Sequence, residues 1–319
     1  MSIEAATQGD AQPASRLAVA IMTDETGWHT ARLRAALRAR GCSGRCVDLA
    51  DCRFETTWSP HGLVIPGFGR GLPDAVIVRG IAGGSFEQVT LRLGILHALR
   101  ESGVPVYNDA RAIERSVDKS MTAFLLHRAG IATPATWTME SSAHARRRLM
   151  RESAAAREVV MKPLFGSQGK GLQRLGGPPL PDLSDFGAVA HLQRFVPPRD
   201  AVGCDWRLMV VGGRVCAAMR RQGRGWIHNA AQGARCIGAK APGSYERLAV
   251  RAAAALGLDY AGVDLIPSDD AADGALVIEV NGVAAWHKLQ RATGIDVAAL
   301  LVEDLLSRKL PQSAAGRAA

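Results

Sequence analysis

The chain has 319 residues, 47% hydrophobic and 22% charged, which excludes a minimal domain and a charge-dominated disordered chain and suits two or three packed units with cores of their own. No apolar run approaches the ~20 residues that cross a bilayer, and residues 1–15 lack the basic-then-apolar pattern of a secretory signal, so a cytoplasmic protein without a membrane partner is expected. The net charge of +9 draws anions such as nucleotides and polycarboxylates, while aromatic residues at 5% and the lack of a stacking motif among the basic residues disfavour nucleic acid.

In chain order, Leu17–Met22 is a short apolar strand, Thr30–Arg40 a helix ended by Gly41, and Arg45–Leu49 a second strand. Ala75–Val78 is introduced by Pro73-Asp74 and closed by Gly80. Phe86, Val89, Leu93, Leu96 and Leu99 recur at helical spacing through Ser102, and Pro105–Tyr107 is a further strand. Strand and helix alternate over 16–112, which predicts an α/β unit with a parallel sheet. A second unit, 113–198, opens with a helix that Asp118 caps and Gly130 stops. It continues with the strand Val159–Lys162, the glycine-rich Phe165–Gly171 and the strand His191–Val196. An Arg-rich helix carries Arg146, Arg147, Arg148 and Arg151. In the third unit, 199–310, two apolar runs flank Gly212-Gly213 as a hairpin. An Ala-rich helix (Ser244–Leu256), two strands (Tyr260–Ile266 and Ala275–Asn281) and a closing helix (Val297–Lys309) follow. Residues 1–15 and 311–319 read as disordered tails.

Three groups of residues carry chemistry. The loop Gly166-Ser167-Gln168-Gly169-Lys170-Gly171 follows an apolar strand and lets backbone N–H groups approach a phosphate, or is simply a mobile turn. It is not a P-loop, since Leu164 stands at the first glycine position and Gly171 where Ser or Thr is needed. Lys162 ends that strand, and Lys119 sits in a first helical turn, where the dipole disfavours a cation unless an anion binds there. Snorkelling surface lysines are the alternative. Glu279 and Asn281 share one face of an apolar strand, and Asp264 is a second acid one hairpin earlier. This oxygen set suits Mg²⁺, or else forms a structural ion pair. Asp205 and Arg207 share a face, and Arg220 and Arg221 close the return strand ahead of His228 and Asn229. They read as phosphate-binding cations or as solvated strand-edge charges.

With Lys119, Lys162 and its glycine loop, Cys204-Asp-Trp-Arg207, Arg220-Arg221, Asn229, Gly262-Val-Asp264 and Glu279-Val-Asn281 in this order and spacing, the chain resembles the ATP-grasp superfamily, and within it the RimK-like α-L-glutamate ligases. Gly27-Trp-His29 and Ser85-Phe-Glu-Gln88 are similar to the branch associated with tetrahydromethanopterin. The resemblance implies an ATP-grasp fold, an α+β sandwich preceded by a parallel-sheet pre-ATP-grasp domain, with ATP between the central and C-terminal sheets. It implies that Lys119, Lys162, Gly166, Ser167, Gln168 and Gly169 meet the phosphates. Gln193, Arg194, Phe195 and Val196 would line the adenine pocket, and Asp205 would meet the ribose. Asp264, Glu279 and Asn281 would hold Mg²⁺ or Mn²⁺. Arg207, Arg220 and Asn229 would act on phosphate and substrate, with Arg221 on the opposite strand face. The implied reaction joins glutamate to a small-molecule carboxylate acceptor through an acyl phosphate. A ligase for a ribosomal-protein tail or for lysine biosynthesis is the neighbouring reading, and an ATP-binding regulator without turnover is the reading of another class. A homo-oligomer is allowed. Two positions depart from the family: Gly282-Val-Ala-Ala-Trp286 replaces the usual Pro-Gly after Asn281, and Gln193 replaces an acid.

Overall fold

The computed structural model describes residues 16–166, 169–198, 203–223, 225–228 and 233–311. Both predicted tails, apart from Pro311, and Ser167, Gln168 and Asn229 lie outside the described residues.

The N-terminal part runs β1 (Ala18–Met22), α1 (Trp28–Ala39), β2 (Ser43–Val47), a small hairpin of β3 (Arg53–Phe54) and β4 (Leu63–Val64), β5 (Ala75–Val78), α2 (Phe86–Glu101) and β6 (Val106–Tyr107). Its main sheet has the order β2-β1-β5-β6 and is parallel throughout. β1 and β5 are apolar on both faces because helices cover both sides. The start of α2 is fixed by Ser85, whose hydroxyl accepts from Gln88 N while the Gln88 side chain accepts from Ser85 N.

The central part holds α3 (Ala110–Val117), α4 (Lys119–Arg128), β7 (Thr136–Met139), α5 (Ser142–Ala154), β8 (Val159–Lys162), β9 (Gln173–Leu175) and β10 (Ala190–Arg194). Its antiparallel sheet has the order β7-β10-β8-β9. Asp118 caps α4 by accepting from Ser120 N and Met121 N, and Gly130, at φ +62°, follows its end. The C-terminal part holds β11 (Gly203–Val211), β12 (Arg214–Gly223), β13 (Arg235–Gly238), α6 (Gly243–Leu256), β14 (Tyr260–Pro267), β15 (Ala275–Asn281), α7 (His287–Thr293) and α8 (Val297–Asp304), with a π-helical turn at Leu305–Lys309. The antiparallel order is β13-β12-β11-β14-β15. At the β11–β12 turn, Gly212 and Gly213 both take positive φ, as the predicted hairpin requires. The single predicted closing helix is instead an α-helix followed by a widened turn, where Arg308 pairs with Asp304 and Asp259.

One apolar core runs without a break from Val19, Ile21 and Ile77 through Tyr107 to Met209, Tyr260, Trp286 and Leu301, so the N- and C-terminal sheets share it. The central sheet packs a separate core of Ala145, Leu149, Val159, Met161, Phe186, Ala190 and Leu192. Asn108, fully buried, joins the two outer parts. Its Nδ2 donates to Tyr260 O at 2.8 Å and Gly282 O at 2.7 Å, and its Oδ1 accepts from Asp259 N at 2.6 Å and Tyr260 N at 3.0 Å.

Candidate active site

A cleft lies between the central and C-terminal sheets. Lys119, Lys162, Gly166, Gly169, Gln193, Arg194, Phe195, Val196, Asp205, Asp264 and Glu279, all named from the sequence, line it. Lys162 stands at the end of β8 beside β10. Its Nζ donates to Gln193 Oε1 at 2.6 Å, and Gln193 Nε2 donates to Thr136 Oγ1 at 3.2 Å. Burial pulls the Lys162 ammonium down to about 8, with Lys119 adding to the effect and Glu279 opposing it. Burial lowers Lys119 as well. Lys119 Nζ donates to Leu164 O at 3.2 Å and Gly166 O at 2.9 Å, so it holds the rim of the glycine loop.

Arg194 contributes backbone rather than charge, because its guanidinium pairs with the buried Glu152 of α5. Phe195 turns its ring edge-on to Trp226, 6.0 Å between centroids, and the Arg174 guanidinium covers it at 4.0 Å.

On the C-terminal sheet the cross-strand register sets the charges. Asp205 faces Arg221, Arg207 lies opposite Asp264, and Asp264 faces Glu279. Arg221 donates to both Asp205 oxygens at 2.6 and 2.8 Å and lies 3.1 Å from Asp264 Oδ2. Arg207 grips Asp264 through Nε and through Nη2, the latter at 2.8 Å. Burial would raise the Asp264 carboxyl, but Arg207 and Arg221 outweigh it and hold the group below its ordinary value. A register shift between Asp264 and Leu265 turns both Ile278 and Glu279 of β15 toward the cleft. Glu279 has no hydrogen bond or ion pair among the described residues. Asn281 donates through Nδ2 to Gly262 O at 3.3 Å, and its Oδ1 has no hydrogen bond among the described residues.

The expected arginine pair is reversed. Arg220 does not reach the cleft: it is opposite Trp206 in the ladder, with its guanidinium 6.0 Å from that ring on the sheet face packed against α6. Arg221, expected on the far face, is the one that lines the cleft. Alternation separates the two residues but does not say which face is which; the Asp205–Arg221 pair decides it. Arg207 belongs to the cleft's charge network through Asp264. Trp226, Ile227 and His191 were not singled out from the sequence. Trp226 and Ile227 line the cleft from an irregular stretch with no periodic signal. His191, 1% exposed, lies opposite Lys162 and bonds Thr138 Oγ1 at 2.8 Å; burial, with Lys162 and Lys119 adding to it, lowers its pKa to about 3 and keeps it neutral.

Residues 17–113 match the family described as RimK PreATP-grasp domain, and residues 116–305 the RimK-like ATP-grasp domain. A tetrahydromethanopterin:alpha-L-glutamate ligase of Methanosarcina acetivorans is 30% identical over 267 residues, 73% of this chain and 79% of that protein. A probable alpha-L-glutamate ligase of Trichodesmium erythraeum is 31% identical over 294 residues, 89% of this chain and 94% of the relative. Among solved structures, the ATP-grasp ligase PsnB complexed with minimal precursor, Mg and ADP superimposes with a TM-score of 0.68 at 20% identity, over 93% of this chain and 100% of the other. A RimK domain ATP-grasp protein from Sphaerobacter thermophilus gives 0.62 at 22% identity, over 91% and 99%. Two family matches that together span nearly all of the described chain, above a cleft built from both of its larger antiparallel sheets, establish that this chain belongs to the RimK-like ATP-grasp family and is a ligase.

Proposed function

We infer that the chain uses ATP and Mg²⁺ to add L-glutamate to an anionic small-molecule acceptor of the tetrahydromethanopterin type. The observation that carries this reading is the cleft itself: two lysines with lowered pKa face Glu279, a carboxylate without an ion pair among the described residues, beside a buried network of two aspartates and two arginines. Such a surface takes a polyphosphate. Lys119, Lys162 and the backbone of Gly166 and Gly169, with Ser167 and Gln168 between them, are assigned to the phosphates. Gln193, Arg194, Phe195 and Val196 are assigned to the adenine, and Asp205 to the ribose.

The donor set fits Mg²⁺. Glu279 and Asn281 offer uncommitted hard oxygens on one strand face, and Asp264 supplies a third group, already oriented by Arg207 and Arg221. Mg²⁺ takes one or two carboxylates and fills its shell with waters and phosphate oxygens. When bound, the ion neutralises charge on the transferring phosphoryl group.

The acceptor carboxylate oxygen attacks the γ-phosphorus and ADP leaves. The glutamate amine then attacks the acyl carbon, phosphate leaves, and the amine loses its proton to solvent. The chain's own part is to hold and neutralise: Arg207 and Arg221 present fixed guanidinium charge at the sheet face, and Asn229 is kept as a candidate partner of the substrate. The names of the relatives that match about three-quarters of the chain favour the pterin-type acceptor.

The test is ATP-dependent amide formation, read by mass spectrometry with L-glutamate and either tetrahydromethanopterin-type acceptors or a ribosomal-protein tail peptide. Amide with the pterin acceptor and none with the peptide is expected. Amide only with the peptide moves the acceptor to the protein-tail reading. ATP binding without amide from any pair refutes turnover.

A further inference from the structure

The N-terminal sheet reverses its winding between β1 and β5, since β2 lies outside one and β6 outside the other. In parallel α/β sheets the carboxyl ends of the strands at such a reversal form a crevice that binds ligands. Here the crevice faces the segment directly after β15, and a cation stands in it. Arg79 follows β5 and is only partly exposed. Its Nη1 donates to Val283 O at 3.3 Å, and its guanidinium lies 5.2 Å from the centre of the Trp286 ring. Its Nε is buried without a hydrogen bond, and no carboxylate comes within ion-pair distance among the described residues. Asp24 is near enough to favour the charge but does not touch it. A guanidinium does not give up its proton in a protein, so this one is a half-buried charge with a buried, unpartnered Nε, and an arriving anion would relieve that cost.

A second donor points the same way. His29, in the first turn of α1, accepts the Trp286 N–H on Nε2 at 3.2 Å. Burial, with Arg79 and His287 adding to it, lowers the imidazole to about 4, so it is neutral near pH 7. With Nε2 accepting, its proton sits on Nδ1, which has no partner among the described residues. Trp28 stacks on His287 at 4.4 Å and meets the His29 ring edge-on at 5.1 Å. The indole N–H of Trp286 is a third buried donor without an acceptor.

We propose that this crevice binds a carboxylate group of the ligase's substrate pair, with Arg79 and the His29 Nδ1–H as its donors. Val283, which Arg79 holds, lies two residues beyond Asn281, a span of at most ~7 Å of extended chain. The carboxylate is thus fixed about one small molecule's length from the oxygens assigned to the metal. Arg79 is then a specificity-determining residue: a substrate lacking the distal carboxylate leaves the guanidinium unpaired. The group belongs either to the incoming amino acid or to the acceptor.

The proposal rests on the ligase reading, and its test separates the two. Arg79→Gln, made in the full chain, is compared with the parent in steady-state kinetics in which ATP, L-glutamate and acceptor are varied in turn. A rise of about 10- to 100-fold in KM for one of the two carboxylate substrates, with KM for ATP unchanged, is expected. The substrate affected identifies the source of the carboxylate. Arg79 as a mere tie to Val283 predicts a lower Tm with both substrate KM values unchanged, and that result overturns the proposal. His29→Ala repeats the assay should Arg79→Gln fail to fold; unchanged KM for both substrates in that variant overturns it as well. Calorimetric titration of glutarate into the parent and the Arg79 or His29 variant, with a non-hydrolysable ATP analogue present, reads the crevice without turnover. Binding weakened at least about tenfold by the substitution upholds the site even if no amide forms, and equal binding in both proteins overturns it.

Discussion

Replacing Lys162 with Met tests the cleft and the electrostatics together. The Lys162 ammonium titrates near 8 rather than at its ordinary 10.5, chiefly because of burial. A basic group lowered on folding reduces stability below its folded pKa, where both states are charged; between about 8 and 10.5 the unfolded chain holds more protons, so stability rises with pH there. The full difference corresponds to roughly 3 kcal/mol, and water in the open cleft screens it to about 1–3 kcal/mol. Lys162→Met removes the charge at similar volume but leaves Oε1 of the buried Gln193 without its donor, at a cost of about 1 kcal/mol. The variant is therefore expected to be at least as stable as the parent at pH 7, with its advantage fading toward pH 10. Its nucleotide affinity should fall by about 1.5–3 kcal/mol, roughly 10- to 150-fold, through loss of a charged phosphate contact. Urea unfolding from pH 7 to 10 and calorimetric titration of a non-hydrolysable nucleotide measure both halves. Unchanged affinity removes Lys162 from the site, and a stability difference that is constant across this pH range refutes the assigned ammonium pKa.

Glu279→Gln should leave the unfolding transition within about 0.5 kcal/mol, since the carboxylate has no hydrogen bond or ion pair to lose among the described residues, yet abolish Mg²⁺-dependent turnover; near-normal activity would remove Glu279 from the metal set. Arg221→Ala should lower amide formation at least ~100-fold while Arg220→Ala changes it little, and rate assays giving the reverse order would restore the sequence-based assignment. Because Arg221→Ala also strips a partner from two buried aspartates, it should destabilise the fold by about 3–5 kcal/mol, so Arg221→Lys, which keeps the charge but not the two-pronged grip, is assayed beside it. Asn108→Ala removes four hydrogen bonds, three of them buried, and should cost at least ~3 kcal/mol in chemical denaturation; a loss under 1 kcal/mol would mean that solvent satisfies those backbone groups.

Elements whose local and tertiary demands agree were legible in the sequence. Ala75–Val78 and Ala275–Asn281 are apolar runs with clear punctuation, and both strands have the predicted ends. Asp118 announced α4 through capping chemistry, and the helical spacing from Phe86 to Leu99 announced α2. β7, β9 and β13 were not anticipated: each is three or four residues long with few buried positions, so its strand character comes from its neighbours in the sheet rather than from its own pattern. Period-2 alternation paired Glu279 with Asn281 and Asp205 with Arg207, but it could not choose between Arg220 and Arg221, because a one-residue phase is set by the cross-strand partner. Gln193, flagged as a departure from an acidic residue, is the acceptor that holds Lys162.

The distribution of the apolar cores has a mechanical consequence. The outer two parts share one core and are pinned at Asn108, so they respond to force as one solid body. The sheet β7-β10-β8-β9 carries a core of its own, so it can rotate as a block without tearing buried contacts. The cleft is therefore built as a jaw, with one half free to turn on the other. Lys162, Gln193 and the rim of the glycine loop ride on the moving half, while Asp264, Glu279, Asn281 and the Arg79 crevice stay with the fixed one. Closure of the smaller piece would grip whatever enters between them and would leave the spacing between crevice and metal-site oxygens unchanged, a ruler cut into the larger half.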